Sequence, residues 1–240
     1  MENISRPIIG ILGVPTYDNE NDSIIALFND YKNAIVEKNC IPFMLCPLLS
    51  IDYYGTKLSN IPSLSDKEKE IYIEMVNMCD GIIIPGGYRM YEFYKFIVEY
   101  AIEKDIPILG ICMGMQLLAN IDNGYHCLAI NETGIEHRQR DVKYVHKVRI
   151  LEDTILNNII NKSEINVNSK HRYHVEKVNK FKISAYSEDG LIEAIEYCDK
   201  KFVIGVQWHP EKMISYDEDA NKLFDRFINE CVKQKNDRIK

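Results

Sequence analysis

The sequence predicts an α/β fold, a mostly parallel central sheet covered by helices on both faces, with a smaller antiparallel or mixed extension in the second half. Three observations carry this expectation. Short, nearly continuous apolar runs alternate with amphipathic helical stretches four times in the first half of the chain, as in βαβ units. Two of these runs, ending at Ile84 and Ile111, lead straight into glycine-containing turns. Past Gly124, short alternating segments separated by turn residues replace the strand–helix rhythm.

Taken in order, Ile8 to Val14 reads as a first buried strand. Asp22 or Ser23 is placed to cap a helix through about Lys38, with Ile24, Leu27, Tyr31, Ala34 and Ile35 on its apolar side. Ile41 to Cys46 is a second strand stopped by Pro47, and residues 48–64 form an irregular connection broken by Gly55 and Pro62. Ser65 with Glu68 makes a capping box for a helix to about Met78. Asp80 to Gly87 is a third strand running into a glycine turn, and Met90 to Lys104 a helix with Phe93, Phe96, Ile97, Tyr100 and Ala101 at helical spacing. Pro107 to Ile111 is the fourth strand, followed at once by a helix. Strand-like segments then run over 124–130, 145–151, 165–167, 173–178, 181–186 and 191–196. Phe202 to Gln207 is a further buried strand, and Ser215 or Asp217 opens a last amphipathic helix through about Val232. No repeat, low-complexity tract or linker interrupts the chain, so one domain over residues 1–240 is expected.

Composition excludes several classes of function. Hydrophobic residues make up 46% and charged residues 27%, ample for a core and ordinary for a soluble protein. A net charge of −7 with no block of lysines or arginines argues against nucleic acid or an anionic membrane as the main partner. The first residues lack a signal-peptide layout, and no apolar run reaches the roughly 18 residues of a membrane span, so a cytoplasmic location is expected. Seven scattered cysteines (Cys40, Cys46, Cys79, Cys112, Cys127, Cys198, Cys231) include no C-x-x-C pair, which speaks against a disulfide framework or a zinc site.

Gly110-Ile111-Cys112-Met113-Gly114 is a G-x-C-x-G form of the nucleophile elbow, a buried strand turning sharply into a helix. The turn exposes the sulfur beside a helix N-terminus, which favours a thiolate. On local pattern alone, the competing reading is one buried cysteine among seven. His209-Pro210-Glu211 follows another buried strand. On an extended segment, side chains two apart share a side, so Glu211 can orient the His209 ring while the other ring nitrogen faces outward. A cysteine, a base and an orienter at strand ends suit acyl transfer, with His209 taking the thiol proton and later protonating the leaving group. Such chemistry needs two oxyanion donors. Met113, the residue after the nucleophile, and Gly87, in the Pro85-Gly86-Gly87 turn, are the candidates. The polar stretch Asn166 to His174 carries His171, Arg172 and Tyr173. A metal held by His171 and His174 finds no acidic or thiol partner at ligand spacing, so no metal is expected; a loop contacting a charged substrate fits better, with Arg172 suited to a carboxylate.

Together, the segments Asp80–Gly87, Pro107–Gln116 and Gly205–Glu211 resemble the class I glutamine amidotransferase superfamily in order and spacing, over essentially the whole chain. Within it the chain is most similar to the stand-alone γ-glutamyl hydrolases, the peptidase C26 branch that includes γ-glutamyl-γ-aminobutyrate hydrolase. The Pro7-Ile8-Ile9-Gly10-Ile11 start, His146-Lys147-Val148 and Val167-Asn168-Ser169-Lys170-His171 support that placement. The resemblance implies a flavodoxin-like three-layer sandwich, a Cys112–His209–Glu211 triad, and hydrolysis of a γ-glutamyl amide through a thioester, without a cofactor. Gly87 and Met113 would form the oxyanion hole, with Gly86, Gln116, His171, Arg172 and Tyr173 binding substrate.

Three departures stand out. Met113 replaces the branch's usual basic residue, Tyr88 leads almost directly into a helix, and Arg172-Tyr173 replaces His-Gln. His171-Arg172-Tyr173 instead resembles the glutaminase domain of CTP synthase, where the arginine contacts the glutamine carboxylate and the segment matching Gln116 contacts substrate. Glu136 is placed to hold the substrate's α-amino group. The expected ligand is a small γ-glutamyl amide or glutamine. The alternative is a glutaminase chain delivering ammonia to a separate synthetase, and the protein partners compatible with the sequence are a second copy of the chain or that synthetase.

Overall fold

The structure, a computed structural model, describes residues 6–124, 127–130 and 133–239. In chain order its elements are β1 (Ile8–Leu12), β2 (Val14–Tyr17), β3 (Ser23–Ala26), α1 (Asn29–Glu37), β4 (Ile41–Leu45), α2 (Asp66–Asn77), β5 (Gly81–Ile84), α3 (Glu92–Glu103), β6 (Ile108–Ile111) and α4 (Met113–Asn123). There follow β7 (Leu128–Ala129), β8 (His146–Ile150), α5 (Ile155–Ile160), β9 (Glu164–Val167), β10 (Tyr173–His174), β11 (Lys182–Ser187), β12 (Ile192–Glu196), β13 (Val203–Val206) and α6 (Glu218–Ile239).

Nine strands form one sheet in the order β4-β1-β5-β6-β13-β12-β11-β8-β9. The first five are parallel, and the last four join antiparallel. The parallel strands are apolar throughout because helices cover both of their faces. Alternation along β5 shows the division: Ile83 packs with α1, α5 and α6, whereas Ile82 and Ile84 pack with α2, α3 and α4. The result is a three-layer α/β/α sandwich. Strand order reverses between β1 and β5, and the crevice beyond their carboxyl ends is where ligands bind in open α/β sheets.

Several expectations change in detail. Residues 23–26 are a strand rather than the start of a helix. Ile24 and Ile25 are β-branched, and β3 pairs antiparallel with β2 across a turn in which Asp18 accepts the N–H groups of Glu20 and Asp22. Helix α1 therefore begins only at Asn29. The Ser65–Glu68 capping box is present in full, with α2 starting at Asp66. Pro42 lies in β4, an edge strand, where a missing N–H costs no ladder bond. α5 is a short helix capped by Thr154 where only a connection was expected. α6 continues well beyond Val232, and its Arg238 pairs with the buried Asp80, which also accepts the Ile8 N–H. That cluster locks the last helix under the amino ends of β1 and β5. The strand expected over 124–130 is reduced to β7, and Tyr125 and His126 lie outside the described residues. Among the described residues, no helix is long and apolar enough to cross a membrane.

Candidate active site

β6 and β13 are parallel neighbours, so the turns that follow them meet at one end of the sheet. Cys112 occupies the turn into α4 with φ 54° and ψ −104°, a conformation that strains any residue with a Cβ. The chain holds it there from both sides. Its N–H donates to Val206 O at 2.8 Å, and its carbonyl accepts the Gln116 N–H at 3.2 Å. The sulfur is thereby presented at the N-terminus of α4.

His209 follows β13, and its backbone is gripped by one side chain. Asn168 Nδ2 donates to His209 O at 2.9 Å, and Asn168 Oδ1 accepts the His209 N–H at 2.8 Å. Glu211 does not face His209 from an extended segment, as the sequence suggests. Pro210–Lys212 is a single 3₁₀ turn, and that turn brings Glu211 Oε1 to 2.7 Å from His209 Nδ1. A carboxylate can only accept, so Nδ1 carries the proton and Nε2 is left for another partner. The ring and Cys112 both border the Gly86 backbone, so the sulfur acts on the ring's charge. Burial opposes the imidazolium, but the Glu211 carboxylate and the Cys112 sulfur outweigh it and push the His209 pKa up to about 10.

The glycine turn after β5 closes over this pair. A Cβ on Gly86 would stand 2.8 Å from His209 Cε1 and 3.5 Å from Cys112 Cβ, so only glycine allows the approach. Gly87 lies beside Met113, whose Cε would be 3.3 Å from a Cβ at that position. Tyr31 of α1 completes the arrangement, and nothing in the sequence marks it beyond an apolar helix position. Its hydroxyl accepts the Gly86 N–H at 2.8 Å. Burial first, and the Glu211 carboxylate second, hold its ionisation well above the usual phenol range. Tyr31 thus anchors the glycine turn within the electrostatic reach of Glu211. Asn168 was likewise missed, although it stands in a stretch singled out for its polarity.

The residues expected to bind substrate divide. Gln116 is buried, and its Nε2 donates to Tyr173 O at 2.9 Å and to Gln207 Oε1 at 3.1 Å. It therefore joins the elbow helix to the 171–173 segment. Arg172 and Tyr173 are exposed, with the backbone of Arg172 fixed by the Ile130 N–H. His171 points inward, only 4% exposed, with Glu193 3.4 Å from its Nε2. Its ring is committed to the interior, against the expectation of a substrate contact. Glu136 is exposed and accepts the N–H of Arg138 in its own turn. Beyond Gly87, a hollow is lined by Val14, Pro15, Tyr54, Gly87, Tyr88 and Arg89.

Comparison with known proteins agrees with this architecture. Residues 90–211 match the peptidase C26 family. A glutamine amidotransferase-like protein of Rickettsia prowazekii is 34% identical over 63% of this chain and 77% of its own. The γ-glutamyl-γ-aminobutyrate hydrolase of Escherichia coli K12 is 26% identical over 96% of each chain. Among solved structures, a GMP synthase component from Thermoplasma acidophilum shares the fold with a TM-score of 0.65 at 14% identity, over 98% of this chain and 99% of that one. With a family match spanning half of its length and a relative above 30% identity, the chain belongs to the peptidase C26 family.

Proposed function

We propose that the protein is a hydrolase of γ-glutamyl amides that works through a thioester on Cys112. The observation that carries this reading is the buried Glu211–His209 pair set beside Cys112, under the Gly86 turn, at a strained elbow. The Cys112 sulfur attacks the γ-carbonyl carbon, and the oxyanion is received by the N–H groups of Gly87 and Met113. As the C–N bond breaks, the His209 imidazolium gives its Nε2 proton to the departing amine. His209 then takes a proton from water, whose oxygen attacks the thioester and frees glutamate and Cys112. Glu211 holds the ring and its charge throughout. Metal and cofactor have no part in this scheme. The test is a panel of γ-glutamyl amides, glutamine included, read by glutamate release. Lack of turnover with every member would refute the proposal.

The His209 shift sets a pH dependence. A raised value keeps the imidazolium through the neutral range and loses it as pH climbs towards about 10. kcat/KM should therefore hold across neutrality and fall on the alkaline side. Glu211→Gln removes the carboxylate that favours the charged ring, so its alkaline limb should move to lower pH. A limb unmoved by that change would contradict the role given to Glu211.

The leaving amine would lie across the mouth of the narrow hollow past Gly87, which is too small to enclose it. Arg89 stands in its wall, with its guanidinium over the Tyr54 ring at 5.5 Å and one N–H donated to Thr56 O. It suits an amine that carries its own carboxylate, as γ-aminobutyrate does. Arg89→Ala should raise KM for such amides roughly tenfold, the worth of one charge-assisted hydrogen bond, while leaving glutamine little changed. Equal loss for both would remove Arg89 from the leaving-group site.

A second reading is favoured by the bond between Gln116 and the 171–173 segment, the segment that resembles a CTP synthase glutaminase domain. In that reading glutamine is the substrate and ammonia passes to a separate synthetase. Turnover would then be weak in the isolated chain and rise when the partner is added.

A further inference from the structure

Behind the His209 strand lies a group of side chains that the proposed reaction does not use. His137, His146, His171 and Glu193 are all buried, Glu193 completely. They come from four separate places: the segment before β8, the start of β8, the turn after β9, and β12. Glu193 Oε1 lies 3.4 Å from His171 Nε2, 3.7 Å from His146 Nε2 and 3.9 Å from His137 Nδ1. One atom from each residue can be chosen so that all four lie within 4.8 Å of one another.

The outward nitrogens settle what the inward ones can do. His137 Nε2 lies 2.8 Å from Asp189 Oδ2, His146 Nδ1 3.1 Å from Lys147 O, and His171 Nδ1 3.1 Å from Tyr173 O. Each of those partners is an acceptor, so each outward nitrogen carries the ring proton. The inward nitrogens of all three rings are thus the ones left to face the Glu193 carboxylate, as lone pairs wherever no second proton sits there. His146 Nε2, His171 Nε2 and both Glu193 oxygens have no hydrogen-bond partner, and the Ser169 hydroxyl, 3.3 Å from His137 Nδ1, is the donor within reach. Four acceptors converging in a buried site repel one another unless a cation or a proton lies between them.

The geometry points to a divalent metal site formed by His137, His146, His171 and Glu193, with zinc as the ion whose chemistry fits best. Three imidazoles and one carboxylate are a zinc ligand set. Around a tetrahedral zinc, ligand atoms stand about 3.3 Å apart, so the carboxylate–imidazole separations need only a small contraction. The far nitrogens bonded to a carboxylate and to backbone carbonyls match the outer shell that fixes metal-binding histidines. Four protein ligands leave no open position, so the ion is structural. It would tie the turn carrying His171 to β8 and β12. Asn168, three residues before His171, brackets His209, and the Glu193 carbonyl accepts the Gln207 N–H. The metal thereby steadies the platform under His209 and the exposed Arg172–Tyr173 segment.

The full chain, produced in zinc-supplemented medium, washed with EDTA and gel-filtered, is expected to retain one zinc per chain by elemental mass spectrometry. X-ray absorption should show nitrogen and oxygen neighbours at about 2.0 Å, with imidazole scattering and no sulfur. Stripping the ion with a strong chelator on warming should lower Tm by about 5 °C or more, and zinc should restore it. Glu193→Gln and His146→Ala should lose the metal, whereas Cys112→Ala should keep it. If these variants fail to fold, the metal content and absorption spectrum of the unaltered chain still decide the matter. No stoichiometric metal after growth in zinc, iron or manganese, a sulfur ligand, or full retention by folded Glu193→Gln would overturn the site and leave a cluster held by protons instead.

Discussion

Cys112→Ala is expected to reduce glutamate release by at least about 10⁴-fold while the protein stays folded. The loss is large because every later step runs through the sulfur, and what the site retains is only substrate binding and two oxyanion donors. The fold should survive because alanine carries the same Cβ through the same φ of 54°, so the elbow's strain is unchanged, and the side chain removed is small. The other cysteines sharpen the test. Burial pushes Cys40 up to about 11 and Cys79 and Cys127 to about 12, and holds Cys231 well above the usual thiol range. Cys46 and Cys198 are raised as well, by burial above all. All six are thiols at neutral pH, and thiols are poor nucleophiles. A diazo-ketone analogue of glutamine should therefore add one label at Cys112 and none to the alanine variant. Label at another cysteine, or more than about 1% residual turnover, would show that Cys112 is not the nucleophile.

How much of this was legible in the sequence depends on how far apart the cooperating residues lie. The parallel strands were readable because helices cover both their faces and the runs are apolar throughout. The elbow and the His209–Glu211 pair were readable because each is local, even though a 3₁₀ turn rather than an extended segment makes the pair. The β2–β3 hairpin was not, because Ile24 also fits a helical stripe with Leu27 and Tyr31. Tyr31 reaches Gly86 across 55 positions, and Asn168 reaches His209 across 41, so no spacing reports them. His171 shows the same limit. Its partners His137, His146 and Glu193 assemble only when β8, the turn after β9 and β12 fold together, whereas the nearest histidine in sequence, His174, has no place in that group.

Gly114→Ala is the substitution expected to cost the fold most. Gly114 opens the first full turn of α4, and a Cβ there would stand 2.2 Å from the carbonyl oxygen of Ile84 and 2.9 Å from its Cβ. Neither partner can yield cheaply. Ile84 is fully buried at the end of β5, and the obstacle is backbone. α4 must therefore retreat from the sheet, and overpacking of this severity costs about 3 kcal/mol or more. For a chain of this size that lowers Tm by about 6–12 °C. The damage should extend to chemistry, because Ile84 leads into Pro85-Gly86-Gly87 while Gly114 follows Cys112 and Met113. Separating them moves Gly87, the proposed oxyanion donor on the β5 side, away from Met113 and the sulfur, and a misplacement of about 1 Å can cost 10²-fold in rate. Gly124→Ala separates packing from backbone strain. Gly124 ends the same helix with φ 71°, and nothing lies within 4 Å of its missing Cβ. That variant should lose about 1–2 kcal/mol to the left-handed conformation and keep its turnover. If Gly114→Ala matched Gly124→Ala in both Tm and kcat/KM, the close packing of α4 on β5 would not be what holds Cys112 in place.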